Sequence, residues 1–320
     1  MNDNLLVTVC VLTYNSSCYV LDTLNSIKEQ TYKNIEIIIC DDASSDTTLD
    51  VCEKWIREHG KRFVNTQIIT VAQNTGIPAN CNRGLEKSAG EWIKYIAGDD
   101  CLYPNAIYEY INCVERNPSE LAFYANTSVY DGDFKEENFS RIESIYPKAF
   151  KSKRSTAWMQ YNLLSLGCII YAPTVFLNKK LLLHLGGFDE GIKLCEDWPM
   201  WLNITYHGYR FHYMDVTTTK YRVHEKSVFG EASVGLLFSR FYAVEKLIYD
   251  RYIRNKALLI IQFVFLYHYY LRIILDRIGM NKKKWLCRVI YTILIFPLAF
   301  IEKIIFKLCA FKQSYLCPRV

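Results

Sequence analysis

The stretch Tyr95–Leu102, YIAGDDCL, ends a short apolar run, Trp92–Ala97, in Gly98-Asp99-Asp100. Two adjacent carboxylates on the turn after a buried strand repel each other, and partial burial raises the cost of ionising both. A divalent cation would offset that cost, because Mg²⁺ and Mn²⁺ take one or two carboxylates together with phosphate oxygens. A plain strand-ending turn is the alternative, since Asp and Gly favour turns by themselves. A second acidic pair, Asp41-Asp42, follows another apolar run, and a third, Glu196-Asp197, precedes Trp198-Pro199. Pro suits a first helical turn and carboxylates suit a helix N-terminus, so Glu196-Asp197 reads either as ordinary helix-start chemistry or as a proton acceptor.

The elements around these groups follow from hydrophobic patterning. Leu5–Leu12, Ile35–Cys40 and Trp92–Ala97 are apolar runs of strand length, suited to strands buried in a parallel sheet, and Phe63–Val71 reads as a further strand. Helices are predicted between and after them over Tyr19–Glu29, Thr47–His59, Ile77–Ser88 and Asn105–Asn117, the first capped from Asn15, Ser16 or Ser17 and the second from Ser45 or Asp46. Strand, turn and helix repeated four times predict an α/β fold with a doubly wound, mostly parallel sheet. Such sheets bind ligands beyond the carboxyl ends of their strands. Thr13-Tyr14-Asn15, Asp41-Asp42, Asn74-Thr75-Gly76 and Gly98-Asp99-Asp100 all fall at those ends. Neither G-x-G-x-x-G nor G-x-x-x-x-G-K-[ST] occurs, so no glycine loop is available to hold phosphates. Beyond a strand at Leu121–Val129, the polar segment 130–154 reads as a long binding loop or lid. A short helix follows at Lys179–Leu185, then a helix from Glu196, and strands at Arg210–Met214 and Val216–Tyr221.

Composition sets the frame. The chain of 320 residues, 51% hydrophobic and 22% charged, can bury a sizeable core. Its net charge of +5 conceals an asymmetry: residues 240–320 hold 15 Lys and Arg against 4 Asp and Glu, so a basic, apolar tail follows an acidic body. The 12 cysteines form no C-x-x-C pair and no zinc spacing, and Cys10 and Cys40 lie inside apolar strands, as small hydrophobes do. The run at Leu5 is too short for a signal peptide, and a cytoplasmic chain with reduced thiols is expected.

The order of motifs resembles a family 2 glycosyltransferase of the GT-A fold, of the bacterial surface-polysaccharide (O-antigen or capsule) type. The matching pieces are VCVLTYN (9–15), DDASSD (41–46), NTGIPANCNRG (74–84), AGEWI (89–93), GDD (98–100), LGGFDE (185–190), EDWPMW (196–201) and YRVH (221–224). The resemblance implies inverting transfer of a sugar from a nucleotide sugar, with UDP the expected nucleotide, to an acceptor hydroxyl. It places Thr13 and Tyr14 against uracil, Asp42 on the uracil NH and Asp99 on the ribose. Asn15, Asn74, Gly76 and Asn82 complete the donor site. Asp100 would hold Mn²⁺ or Mg²⁺, with His224 as a further ligand. Asp197 would be the catalytic base, and Glu196 and Trp198 would meet the acceptor, while Trp201 is expected in the core. Cys81 stands where many members carry Arg, and the spacing of Arg83 points it elsewhere on the helix. No Q-x-x-R-W occurs, so a single addition per acceptor is expected rather than processive synthesis.

The implied organisation is a donor half (1–104), an acceptor half (105–230) and a membrane-associating helical tail (231–320). The tail carries apolar runs at Ala257–Leu271 and Val289–Ile301, each short of the ~20 residues of a spanning helix, with a basic stretch between them. Interfacial helices on anionic lipid, at the inner face of the plasma membrane, fit this pattern better than nucleic acid does. A buried helical subdomain or a homodimer interface would also hide such runs. A lipid-linked saccharide is the acceptor that suits this location. The alternatives in function are a non-catalytic carbohydrate-binding or scaffolding protein and a nucleotidyltransferase, whose glycine-rich basic first loop is missing at Thr13–Ser17.

Overall fold

The computed structural model describes residues 5–143, 148–152, 155–224, 239–282, 284–295 and 301. The predicted β–α repeats are present as β1 (Val7–Thr13), α1 (Val20–Lys28), β2 (Ile35–Asp41), α2 (Thr48–His59), β3 (Asn65–Thr70), α3 (Ile77–Lys87), β4 (Trp92–Ala97), the two-residue β5 (Cys101–Leu102) and α4 (Ala106–Arg116). Strands β3, β2, β1 and β4 lie side by side and parallel. Alternate residues of each strand enter opposite cores, which is why the runs are apolar throughout. Val7, Val9, Val11, Ile35, Ile37 and Ile39 pack with α1, α2 and α4. Cys10, Ile38 and Cys40 pack with Cys81 and Leu85 of α3 on the other face. The ten described cysteines are free thiols.

The second half of the sheet is mixed. It is built from β6 (Ala122–Asp131), β7 (Phe139–Glu143), β8 (Val175–Asn178) and β9 (Phe211–Val223). Strand β8 runs antiparallel between β4 and β6, and β9 runs parallel to β6 and antiparallel to β5. The two strands predicted at 210–221 are one 13-residue strand whose register slips opposite Asn126. Part of the predicted 130–154 loop is β7, paired with β6. Helices α5 (Lys148–Lys151), α6 (Ala157–Leu164), α7 (Lys179–His184) and α8 (Asp197–Tyr206) surround this half. Sequence pattern does not reveal α6, because it is buried on every side from Met159 to Leu164 and shows no polar face.

Capping differs from expectation. Neither α1 nor α2 has a side-chain N-cap. Asn15, Ser16 and Asp46 instead bond across the loops: Ser16 N donates to Thr48 Oγ1 at 2.8 Å and Ser17 N to Asp46 Oδ2 at 3.2 Å.

The tail continues the second core. Helices α9 (Tyr242–Ile248) and α10 (Leu259–Arg277) fold back onto it, with Tyr249 stacked on Phe265 and Phe265 beside Trp198. Ile273, Ile274 and Leu275 prolong the apolar pattern past Arg272, so α10 reaches 19 residues, long and apolar enough to cross a membrane. A shorter apolar helix spans Trp285–Ile295; residues 296–300 of the second predicted run lie outside the described residues.

One buried charge holds the amino-terminal edge of the sheet. Glu36, the second residue of β2, accepts from Thr8 Oγ1 and from the amides of Ala89 and Gly90. This accounts for AGEWI: an added Cβ at Gly90 would stand 2.6 Å from Thr8 N. Glu36→Ala leaves Thr8 Oγ1 and Ala89 N without this acceptor, while Gly90 N keeps Thr8 Oγ1, and opens a cavity, so unfolding free energy should fall by roughly 2–4 kcal/mol, measured as a shift of the urea midpoint.

Candidate active site

The strand ends of the parallel half form one edge. Thr13 donates from Oγ1 to Asp41 Oδ1 at 2.8 Å, and Asp41 is wholly buried, taking Ser44 N as well. Asp41 therefore ties β1 to the following loop. Tyr14 stands out from this edge, half exposed. Asn15 takes a left-handed backbone (φ 51°), accepts from Ser45 N at 2.8 Å and donates from its own N to Ser44 Oγ. Its side-chain oxygen joins two loops, while the residue itself is exposed at this edge.

Asp42 is buried and accepts from Thr75 N and Oγ1, from Gly76 N at 2.8 Å and from Arg83 Nη2 at 2.7 Å. Against the opposing effect of burial, these donors hold its carboxyl below the ordinary range. Arg83 is the residue that sequence spacing misplaces. A helical side chain leans toward the helix N-terminus, so Arg83 reaches back past Asn80 Oδ1 to Thr75 and Asp42. Asn74, Thr75, Asn82, Arg83, Glu190 and Lys193 line a cleft of about 480 Å³ here.

Gly76 has φ 97°, and a Cβ there would lie 2.8 Å from Lys193 O, the acceptor of Ile77 N. The glycine thus admits the 186–196 loop. Asn82 secures that loop: it donates to Phe188 O and Glu190 Oε1 and accepts from Phe188 N, all at 2.8–2.9 Å. Its polar groups are used within the protein, a correction to its expected role on the donor. Asp189 of the same loop is paired with Arg251 and Tyr252 near α9.

Asp99 and Asp100 follow β4. Asp100 is 2% exposed, and its Oδ1 accepts from Arg222 N at 2.9 Å. Burial first, then the charge of Asp99, push its carboxyl well above the ordinary range. Burial also lowers the nearby Lys94 ammonium to about 7, with Asp100 opposing the shift. Arg222 does not face an open phosphate position. Its guanidinium donates to Asp99 O, Gly132 O and Asp22 Oδ2 and lies 4.0 Å over Phe134. His224 Nε2 bonds Asp99 Oδ2 at 2.9 Å, with its ring 4.5 Å from Tyr19.

These groups suit a hard cation whose remaining ligands come from phosphate and water. Asp100 is a desolvated carboxylate beside a second acid, and no hydrogen bond reaches its Oδ2 among the described residues. No ready cluster of three protein ligands exists among the described residues, so the protein would supply only part of the coordination.

The third acidic pair stands at the start of α8. Asp197 opens α8; its Oδ1 accepts from Trp198 N at 2.6 Å and Cys195 Sγ at 3.2 Å, and its Oδ2 from Cys168 Sγ at 3.4 Å. Burial raises Asp197, with these bonds opposing it, and burial followed by the Asp197 charge raises Glu196 to about 8. Tyr221 joins the two ends of the site. After burial, the charges of Asp100, Asp99 and Asp197 all push its phenol up, so the tyrosine lies within electrostatic reach of each. Trp198 is not on this surface: it is buried and donates from Nε1 to Leu164 O, which corrects its expected acceptor role. Trp201 is in the core, bonded to Ile170 O. Cys81 is packed against Cys10 and Cys40, beneath Glu196 and Asp197, and brings no cation.

Residues 8–175 match the family model for glycosyl transferase family 2, and the chain belongs to that family. It is 29% identical over 225 residues to UDP-Glc:alpha-D-GlcNAc-diphosphoundecaprenol beta-1,3-glucosyltransferase WfaP of Escherichia coli, covering 70% of this chain and 79% of that one. It is 27% identical over 197 residues to an uncharacterized glycosyltransferase of Rickettsia typhi, covering 61% of this chain and 57% of that relative's length. Among solved structures, S. aureus TarS 1-349 in complex with UDP-GlcNAc superposes with a TM-score of 0.61 at 20% identity, covering 83% of this chain and 73% of TarS 1-349. The mannosyltransferase PcManGT of Pyrobaculum calidifontis, in complex with GDP-Man and Mn²⁺, gives 0.59 at 17% identity, covering 97% and 87%. The fold is GT-A.

Glu196 gives the site a pH signature. Its carboxyl rises from 4.5 to about 8 on folding, so the folded state holds the proton more tightly and stability falls as pH rises through that window. Glu196→Gln removes this loss. The thermal midpoints of variant and native protein should agree near pH 4.5 and diverge in the variant's favour by pH 8, read by scanning calorimetry.

Proposed function

We propose that the protein is an inverting, divalent-metal-dependent glycosyltransferase. It moves a sugar from a UDP-sugar to a hydroxyl of a lipid-linked saccharide during surface-polysaccharide synthesis at the inner face of the plasma membrane. The observation carrying this reading is that, in a chain of this family, the turn after β4 buries Asp100 with no hydrogen bond to its Oδ2 among the described residues, while a separate carboxylate, Asp197, opens α8.

In this reading residues 1–104 hold the donor and 105–230 the acceptor, with 231–320 facing the membrane. Tyr14, exposed beside Thr13, stacks on the base, and Asp42 with the Asn74–Gly76 turn forms the wall of the base pocket. Asp99 meets the ribose. Asp100 and His224 would hold Mn²⁺ or Mg²⁺, which supplies Lewis-acid stabilisation of a diphosphate leaving group. Asp197 takes the acceptor proton as the hydroxyl attacks the face opposite the leaving group, and its raised carboxyl favours that proton. Glu196 lies beside it toward the acceptor. The WfaP relative, named for UDP-Glc and a diphosphoundecaprenol-linked acceptor, supports both substrate classes.

The membrane-facing element is α10. Its inner face, with Ile261, Val264 and Phe265, is buried, while Leu259, Phe263, Tyr270, Ile274 and, just beyond it, Ile278 form an exposed apolar stripe. Arg277, Lys282, Lys284 and Arg288 follow it, and Trp285 is exposed among them. An apolar stripe with basic flanks and an interfacial Trp matches a helix lying in the headgroup region.

Purified full-length protein with Mn²⁺, a panel of UDP- and GDP-sugars and a GlcNAc-diphospholipid acceptor tests the reading by nucleotide release and product analysis. Release from a UDP-sugar with an inverted linkage is expected. Chelator should abolish it, Asp100→Ala should lower it about 10²–10³-fold, and Asp197→Asn about 10²–10⁴-fold. Full activity in chelator or a retained anomeric configuration would refute the metal or the inverting mechanism, respectively.

Deleting the whole tail would expose the core around Trp198, so membrane binding is better tested on the stripe alone. Phe263→Ser with Ile274→Ser should leave the thermal midpoint nearly unchanged and shift the protein from pellet to supernatant with anionic vesicles. Unchanged sedimentation would count against α10 as the anchor.

A further inference from the structure

Asp197 is gripped by two thiols. Cys195 Sγ lies 3.2 Å from Oδ1 and Cys168 Sγ 3.4 Å from Oδ2, so each carboxylate oxygen has its own sulfur donor. The thiols arrive from different parts of the chain, Cys195 from the turn before α8 and Cys168 from the segment after α6. Cys168 has one other acceptor in reach, Ile170 O at 3.7 Å, farther away and uncharged. Both sulfurs carry their protons at neutral pH: burial and then the Asp197 charge push the Cys195 thiol up from its ordinary value, and the Asp197 charge beside it pushes Cys168 the same way. They therefore act as donors to the carboxylate. The other titratable groups facing Asp197 are Glu196 beside it, Tyr221 of β9 and Cys81 of α3, and none is a cation.

We infer that Cys168 and Cys195 are positioning residues for Asp197, fixing both carboxylate oxygens and keeping the group ionised while leaving it most of its proton affinity. The chemistry explains the residue type. A carboxylate at the edge of a buried acidic pair needs donors to remain charged. Oδ1 already takes one strong donor, Trp198 N at 2.6 Å; further hydroxyl, amide or guanidinium donors would make the carboxylate a poor proton acceptor, whereas an S–H is a weak donor. Two weak donors restrain its orientation at a small cost in basicity.

The inference rests on Asp197 being the base, and the test separates the two statements. Full-length protein labelled with ¹³C at aspartate carboxyls is titrated by NMR, with the Asp197 signal identified by its loss in Asp197→Asn. Replacing both cysteines by Ala should raise the Asp197 midpoint by about one pH unit relative to native. Replacing both by Ser should lower it below native, since hydroxyls are stronger donors. The acid limb of UDP release against pH should move in the same order. If the double Ala variant does not fold, Cys168→Ala alone carries the test, because that residue is exposed and its truncation leaves the core intact. An Ala midpoint equal to or below native overturns the thiol inference. Full transfer by Asp197→Asn with the Ala, Cys, Ser order intact overturns only the base assignment and leaves the thiols as anchors of that carboxylate.

Discussion

Asp100 is a carboxylate removed from water next to another carboxylate, and much of the site is arranged around that cost. Arg222 lends its backbone amide rather than its side chain. Its guanidinium instead bolts the Asp99 carbonyl to α1 through Asp22 and to the β6–β7 turn through Gly132. Lys94, buried behind β4, is held by the carbonyls of Tyr95, Pro173 and Val175 and gives only partial charge relief. A pair of acids so poorly neutralised by protein cations is poised for an external one. The geometry also explains why β9 is long: it must carry Arg222 and His224 from the far side of the sheet to the end of β4.

The loops over the donor edge are positioned by side chains that do not themselves need to touch a ligand. Arg83 and Asp42 lock the Asn74–Gly76 turn, and Asn82 clips the glycine-rich 186–190 loop by three hydrogen bonds. That loop leads directly to Cys195, Glu196 and Asp197, so Asn82 transmits the position of α3 to the start of α8. Cys81, neutral and buried, keeps the neighbourhood of Glu196 and Asp197 apolar, which is consistent with both carboxyls being raised.

The tail serves two surfaces at once. One face of α10 completes the second hydrophobic core through Val264 and Phe265, and Arg272 anchors it to Glu245 of α9 by two bonds. The other face remains apolar and exposed. A helix constrained in this way holds its exposed apolar stripe in a fixed position relative to Trp198, which follows Asp197 directly.

The sequence alone determined the repeated β–α pattern, the collection of polar groups at strand ends and the family, because buried parallel strands demand unbroken apolar runs and ligands gather where those runs end. It also marked Asp42, Asp100 and Asp197 by their place after strands or before a helix. Only the tertiary structure decided which of the neighbouring polar residues are spent inside the protein. Asn82 and Arg222 are polar groups of the ligand-binding kind, yet loops distant in sequence take up their donors and acceptors. Trp198 turned inward for the same reason, with Leu164 O of a helix that lacked any periodic signal. Arg83 and the two thiols on Asp197 were invisible because their partners lie 41, 29 and 2 residues away along the chain, and a hydrogen bond depends on folded proximity rather than on spacing.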